Sequence, residues 1–165
     1  MIRPRLTRRA FALGLLAALP ACGFAPVYGP GRAGSALEGQ ILADDPVTRE
    51  DYLLVREFES RLGRAQPGRY GLSYKISVST AGAAVSRANV TTRYNVLGEV
   101  TYALRDLETG AVITSGKTSN FTGYSASGTT VATQAAERDA RERLMVILTD
   151  QIITRLLVAV PRSGL

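Results

Sequence analysis

The sequence predicts an α+β domain, a two-layer sandwich in which a sheet of about four strands carries two helices on one face, in the order β-α-β-β-β-α. Three observations predict it. Residues 70–79 alternate between apolar Tyr70, Leu72, Tyr74, Ile76 and Val78 and small or polar Gly71, Ser73, Lys75, Ser77 and Ser79, the period of a half-buried strand. Leu54, Val55, Phe58 and Leu62 recur at helical spacing. From about Thr130 to Val158, the residues Ala136, Ala140, Leu144, Ile147, Leu148, Ile152 and Leu156 mark one face of a long helix, closed by Pro161.

In chain order, the first strand is expected around Ala36–Ala43, with Leu37 and Ile41 facing one way, before Asp44-Asp45-Pro46 turns the chain. Thr48 with Asp51 three residues on resembles a capping box, which opens a helix at 49–62 that Gly63 ends. After the strand at 70–79, residues 93–105 place Tyr94, Val96, Val100, Tyr102 and Leu104 on one parity. Gly98 interrupts that parity, as a bulge or a close backbone approach requires. Asp106 to Gly110 supply turn residues before a strand at 111–122, so the two strands form a hairpin. Asp150, Gln151 and Arg155 argue against the last helix spanning a membrane. With both helices on the apolar face, the other face of the sheet stays open. It carries Ser73, Lys75, Ser77, Ser79 and the opposite parity of the later strands, either as a solvated surface or as a place where a partner or ligand binds.

Composition narrows the chemistry. A chain of 165 residues with 45% hydrophobic content suffices for one domain with a real core. It contains no histidine, so the commonest general base and the commonest zinc or copper ligand are missing, and hydrolytic triads built on His are excluded. Cys22 is the only cysteine, which excludes an intramolecular disulfide and any cysteine cluster for a metal. No cofactor is implied. The formal charge is +6, but Arg3, Arg5, Arg8 and Arg9 precede Cys22; without them 16 basic residues face 14 acidic ones. A balance of +2 gives little support to binding driven by bulk charge.

The N-terminus reads as an export signal over residues 1–21: a basic stretch through Arg9, an apolar run over residues 10–19, and a small residue at Ala21. The run is too short to span a bilayer, which needs about 20 residues. Leu19-Pro20-Ala21-Cys22 resembles the lipobox of bacterial lipoproteins, with Pro20 the less usual member. Arg8-Arg9 also resembles a twin-arginine signal, so the export route stays open. Lipidation of Cys22 accounts for a lone cysteine in an oxidising compartment, since acylation leaves no free thiol. Several acyl chains, at about 0.8 kcal/mol per buried methylene, make a durable membrane anchor. Gly23 rather than aspartate follows Cys22, which favours outer-membrane sorting by analogy with enterobacteria. Residues 22–36, rich in Gly and Pro, form the anchor and tether, and residues 37–160 the periplasmic domain.

Cys22-Gly23-Phe24-Ala25-Pro26-Val27-Tyr28-Gly29 resembles the start of mature lipoproteins of the LptE family, which assemble lipopolysaccharide (LPS). Thr92-Arg93-Tyr94-Asn95, Tyr102-Ala103-Leu104-Arg105-Asp106 and Ala135-Ala136-Glu137-Arg138-Asp139-Ala140 are similar to alphaproteobacterial members. The resemblance implies a non-catalytic outer-membrane lipoprotein, facing the periplasm or the barrel lumen, that plugs an LptD-type β-barrel and helps to place LPS. The implied partners are that barrel, LPS and, through the acyl anchor, the membrane. LPS carries phosphates and carboxylates, which Arg meets with a planar fork of donors and Lys with a compact charge. On that chemistry Lys75, Arg87, Arg93 and Lys117 are the candidate LPS contacts; both lysines fall on expected strands, and the two arginines flank the connection between residues 79 and 93.

An accessory lipoprotein of an ABC-type lipid-trafficking system would share the anchor, the small α/β domain and the lack of catalytic residues. An enzyme would need Asp44-Asp45 as paired acids, or a serine with Lys75 or Lys117 as nucleophile and base. Adjacent acids before a proline are the ordinary composition of a turn, however, and a serine next to a strand lysine points to the opposite face. A nucleic-acid module conflicts with export and with the small net charge.

Overall fold

The computed structural model describes residues 37–85 and 91–160 of the 165-residue chain. The expected signal segment, Cys22, the tether and Arg87 lie outside the described residues. The elements are β1 (Ile41–Ala43), α1 (Arg49–Leu62), β2 (Tyr70–Val85), β3 (Thr91–Asp106), β4 (Val112–Ser125) and α2 (Thr130–Ala159), the order that the hydrophobic periods predict.

Local chemistry fixes the ends. The Thr48 side chain accepts from the Asp51 backbone N–H at 3.1 Å, and the Asp51 carboxylate accepts from the Thr48 N–H at 2.8 Å, so the capping box opens α1 where expected. At the head of α2, Thr129 accepts from the Ala132 N–H at 3.3 Å. The first strand is shorter than expected: pairing is confined to Ile41–Ala43, and a turn occupies residues 38–40. The cause is Gly39, held in the left-handed region at φ 65 while its N–H donates to the Leu62 carbonyl at 2.6 Å. Leu37 and Ile41 are nevertheless both buried, as their shared spacing implied. The later strands run further than the apolar alternation does, β2 to residue 85 and β4 to residue 125.

The sheet order is β1-β2-β3-β4. β1 lies parallel to β2, joined to it through α1, whereas β2–β3 and β3–β4 are antiparallel hairpin pairs. In the β2–β3 register Leu72 faces Leu104 and Ile76 faces Val100; in the β3–β4 register Val96 faces Thr122 and Val100 faces Thr118. Even-numbered side chains of the three long strands therefore share one face, and there they meet both helices. Phe58 and Leu62 of α1, Leu144, Leu148 and Ile152 of α2, and Leu72, Val96 and Leu104 of the sheet are buried in one cluster. On α2 the buried seam also takes Met145, Thr149 and Ile153, while Ile147 is partly exposed at its margin.

Gly98 resolves as a close approach and not a bulge, since the register runs through it unshifted. A Cβ there would stand 2.9 Å from Leu144 Cδ2 and from Leu148 Cδ1, so the missing side chain seats α2 on the sheet. Ion pairs Arg56–Glu142 (2.5 Å), Arg61–Asp150 and Arg141–Glu50 (2.9 Å) then link the two helices along their outer margins. No described helix is long and apolar enough to cross a membrane.

Candidate functional site

With the helices on one side, the odd-numbered side chains of β2, β3 and β4 form the open face, and the registers arrange them in rows. Lys75, Thr101 and Lys117 make one row, Ser77, Glu99 and Ser119 the next, and Ser79, Leu97 and Phe121 the one after. Lys75 and Lys117 thus stand two strand spacings apart, about 10 Å at the backbone. Lys117 is paired with Glu99 at 2.8 Å; the lysine is exposed and the glutamate half-buried. Its backbone carbonyl accepts from Arg155 of α2, which ties β4 to the helix at that row.

Above the second and third rows lies an open hollow of about 550 Å³, lined by Ser77, Ser79, Leu97, Glu99, Ser119 and Phe121. Leu97 and Phe121 face each other across β3 and β4 and are 42% and 59% exposed, an apolar pair on an otherwise polar face. Sequence reading missed this pair, because the register that sets Phe121 beside Leu97 depends on the hairpin. Such a surface offers hydroxyls, a cation–carboxylate pair and a small apolar step, which suits binding and supplies no nucleophile activated by a base.

The four nominated cations do not form one site. Lys75 and Lys117 share a row, but Arg93 lies opposite Ser125 at the far end of the face, eight residues along β3 from Thr101, about 27 Å at strand rise. It is exposed beside the β2–β3 connection, and Arg87 falls outside the described residues.

Asp44 and Asp45 are exposed in the turn after β1, where they line a second hollow of about 780 Å³ together with Tyr52, Arg56 and Glu59. Tyr74 reaches this turn, its hydroxyl donating to the Asp44 carbonyl at 3.2 Å. Partial burial, with Asp51, Asp44 and Asp45 nearby, pushes the Tyr74 phenol up to about 12. In the β3–β4 turn the Asp106 carboxylate accepts from the N–H groups of Thr109 and Glu108, both at 2.9 Å, and these bonds hold its pKa below the usual carboxylate value. Among the described residues no group of His, Cys, Asp and Glu side chains could hold a metal ion.

A small α+β domain with one helix-covered sheet face and one polar open face presents a broad surface suited to binding. The LptE family, described as lipopolysaccharide-assembly, matches residues 35–156, and the chain belongs to it. Its role in LPS assembly is therefore non-enzymatic. Among solved structures, a candidate lipoprotein from Caulobacter crescentus is 25% identical with a TM-score of 0.61, over 76% of this chain and 93% of that one. The rare lipoprotein B of Shewanella oneidensis (12% identical, TM-score 0.54, 72% of this chain and 92% of that one) and a minor lipoprotein of Acinetobacter baumannii (13%, 0.52, 72% and 89%) share the fold. No curated protein matches this chain.

Proposed function

We propose that this domain is the lipoprotein subunit of an outer-membrane LPS translocon, anchored through acylated Cys22 and seated in the lumen of an LptD-type β-barrel, where it helps to place LPS. Family membership over residues 35–156 carries the reading. The shape supports it. A barrel lumen is lined by polar side chains, because lipid-facing and lumen-facing residues alternate along its strands. The open face, with its rows of Ser, Thr, Lys and Glu, suits such a wall through hydrogen bonds and needs no large apolar patch.

Lys75 and Lys117 in one row, and Arg93 beside the β2–β3 connection, are candidate contacts for LPS phosphates; Arg87 belongs to the same connection in sequence. Because Arg93 and Lys117 lie far apart, their contributions should be independent. The test is binding of LPS to the purified lipoprotein over a range of salt concentrations. Arg93→Glu and Lys117→Glu should each weaken binding, and the double variant should show a shallower salt dependence, since exposed charge pairs are screened. Wild-type affinity and salt dependence in the double variant would remove these residues from the LPS-binding surface.

A further inference from the structure

The two outer edges of the sheet are treated differently. Along β4, Arg155 donates to the Lys117 carbonyl, Arg143 donates to the Gly123 carbonyl at 3.3 Å, and the Asn120 side chain accepts from the Phe121 N–H at 2.8 Å. Side chains thus occupy backbone groups that an added strand would need, the usual way of blunting an edge.

Among the described residues nothing protects β2 in this way beyond its first residues. The Tyr70 N–H donates to the Gln40 carbonyl at 2.9 Å and the Asp44 N–H donates to the Leu72 carbonyl at 3.0 Å, so even-numbered residues of β2 direct their backbone groups outward. β1 covers only Tyr70–Leu72. From Ile76 through Val78 to Thr80 the outward N–H and C=O groups meet no described residue. The stretch is about 17 Å long, the length of an ordinary strand. On its helix side Ile76 and Val78 are only partly buried, lacking the cover a neighbouring strand would give. On its open side stands Lys75, the one charged residue within Tyr70–Val85 and without an ion pair among the described residues.

We infer that the β2 edge from Ile76 to Thr80 receives a fifth strand from the barrel partner: an extended segment with alternate apolar residues on the helix side and an acidic residue beside Lys75. The inference rests on the barrel-subunit reading above. Main-chain hydrogen bonds supply the affinity, and the alternating side chains together with the Lys75 pairing supply the choice of segment and register.

The test uses the full-length lipidated protein. The Val78 N–H points away from β3, so Val78→Pro removes no bond of the existing ladder yet denies one to an incoming strand. It should keep the wild-type circular dichroism and lower the barrel protein recovered by copurification at least tenfold. Wild-type recovery with Val78→Pro overturns the strand addition and leaves the barrel reading standing. Absence of the barrel with the wild-type protein overturns both. A photo-crosslinking residue at Thr80 decides the matter even where Val78→Pro unfolds. Adducts should map to one continuous barrel segment carrying an acidic residue, fall several-fold with Lys75→Glu and recover with Lys75→Arg. Adducts only to a second copy of this chain, or none, overturn the inference.

Discussion

Gly98→Ala should destabilise the domain by about 1–2 kcal/mol. Two effects oppose each other. Alanine narrows the unfolded ensemble relative to glycine, a gain of about 0.4–1 kcal/mol where the native backbone accepts it. Against this, the new methyl would stand 2.9 Å from Leu144 Cδ2 and Leu148 Cδ1 and 3.2 Å from Leu144 Cγ. Both leucines are fully buried and one helical turn apart, so neither can swing into solvent. The helix must lift or the leucines must leave their rotamers, at about 1–3 kcal/mol for an over-packed core. Overpacking wins because it acts on two side chains of one rigid seam. Urea unfolding of the domain lacking the lipid anchor should show a midpoint lower by about 0.5–1 M at unchanged slope. In a Leu148→Ala background, itself costing about 2–5 kcal/mol, the added penalty should fall to about half, because one of the two obstructing methyl groups is gone. A Gly98→Ala midpoint at or above wild type, or an equal penalty in both backgrounds, would refute the claim that this glycine seats α2.

Thr149 is fully buried and its hydroxyl has no partner among the described residues, so Thr149→Val should stabilise by about 1 kcal/mol in the same urea assay; a loss of stability would reveal a bond to that hydroxyl. Because the folded-state pKa of Asp106 is depressed, its stabilising contribution is present above the unfolded carboxylate value near about 3.9 and is lost as pH falls through the folded value. Asp106→Asn should therefore cost stability at pH 7 and progressively less below about pH 4, and an equal cost at both would contradict the turn's carboxylate role. Cys22→Ser should abolish acylation and release the protein from membranes; palmitate labelling that survives the substitution would sink the anchor assignment.

How much of this was legible depends on whether a feature is local. The capping box at Thr48 and Asp51, the α1 boundaries and the face of β2 follow from residues a few positions apart, and sequence periods read them directly. β1 is shorter than its apolar spacing suggests because Gly39 makes its turn against Leu62, a contact made only when α1 folds back. The open face was legible as a parity but not as a surface. Setting Lys75 and Lys117 in one row, and Leu97 beside Phe121, takes two hairpin registers fixed by long-range pairing. The contrast between the capped β4 edge and the β2 edge, which no described residue caps beyond its first residues, lies deeper still, since Arg143 and Arg155 reach carbonyls 20 and 38 residues earlier in the chain.

On the proposed function, this lipoprotein is the stoichiometric partner of an outer-membrane barrel in LPS assembly. Copurification from detergent-solubilised outer membranes, with the tagged full-length protein and quantified band ratios, tests it most directly. One LptD-type barrel per lipoprotein, stable through size-exclusion chromatography, is expected. Recovery without a large barrel protein, or together with an inner-membrane transporter, would contradict it and favour an accessory role in ABC-type lipid trafficking.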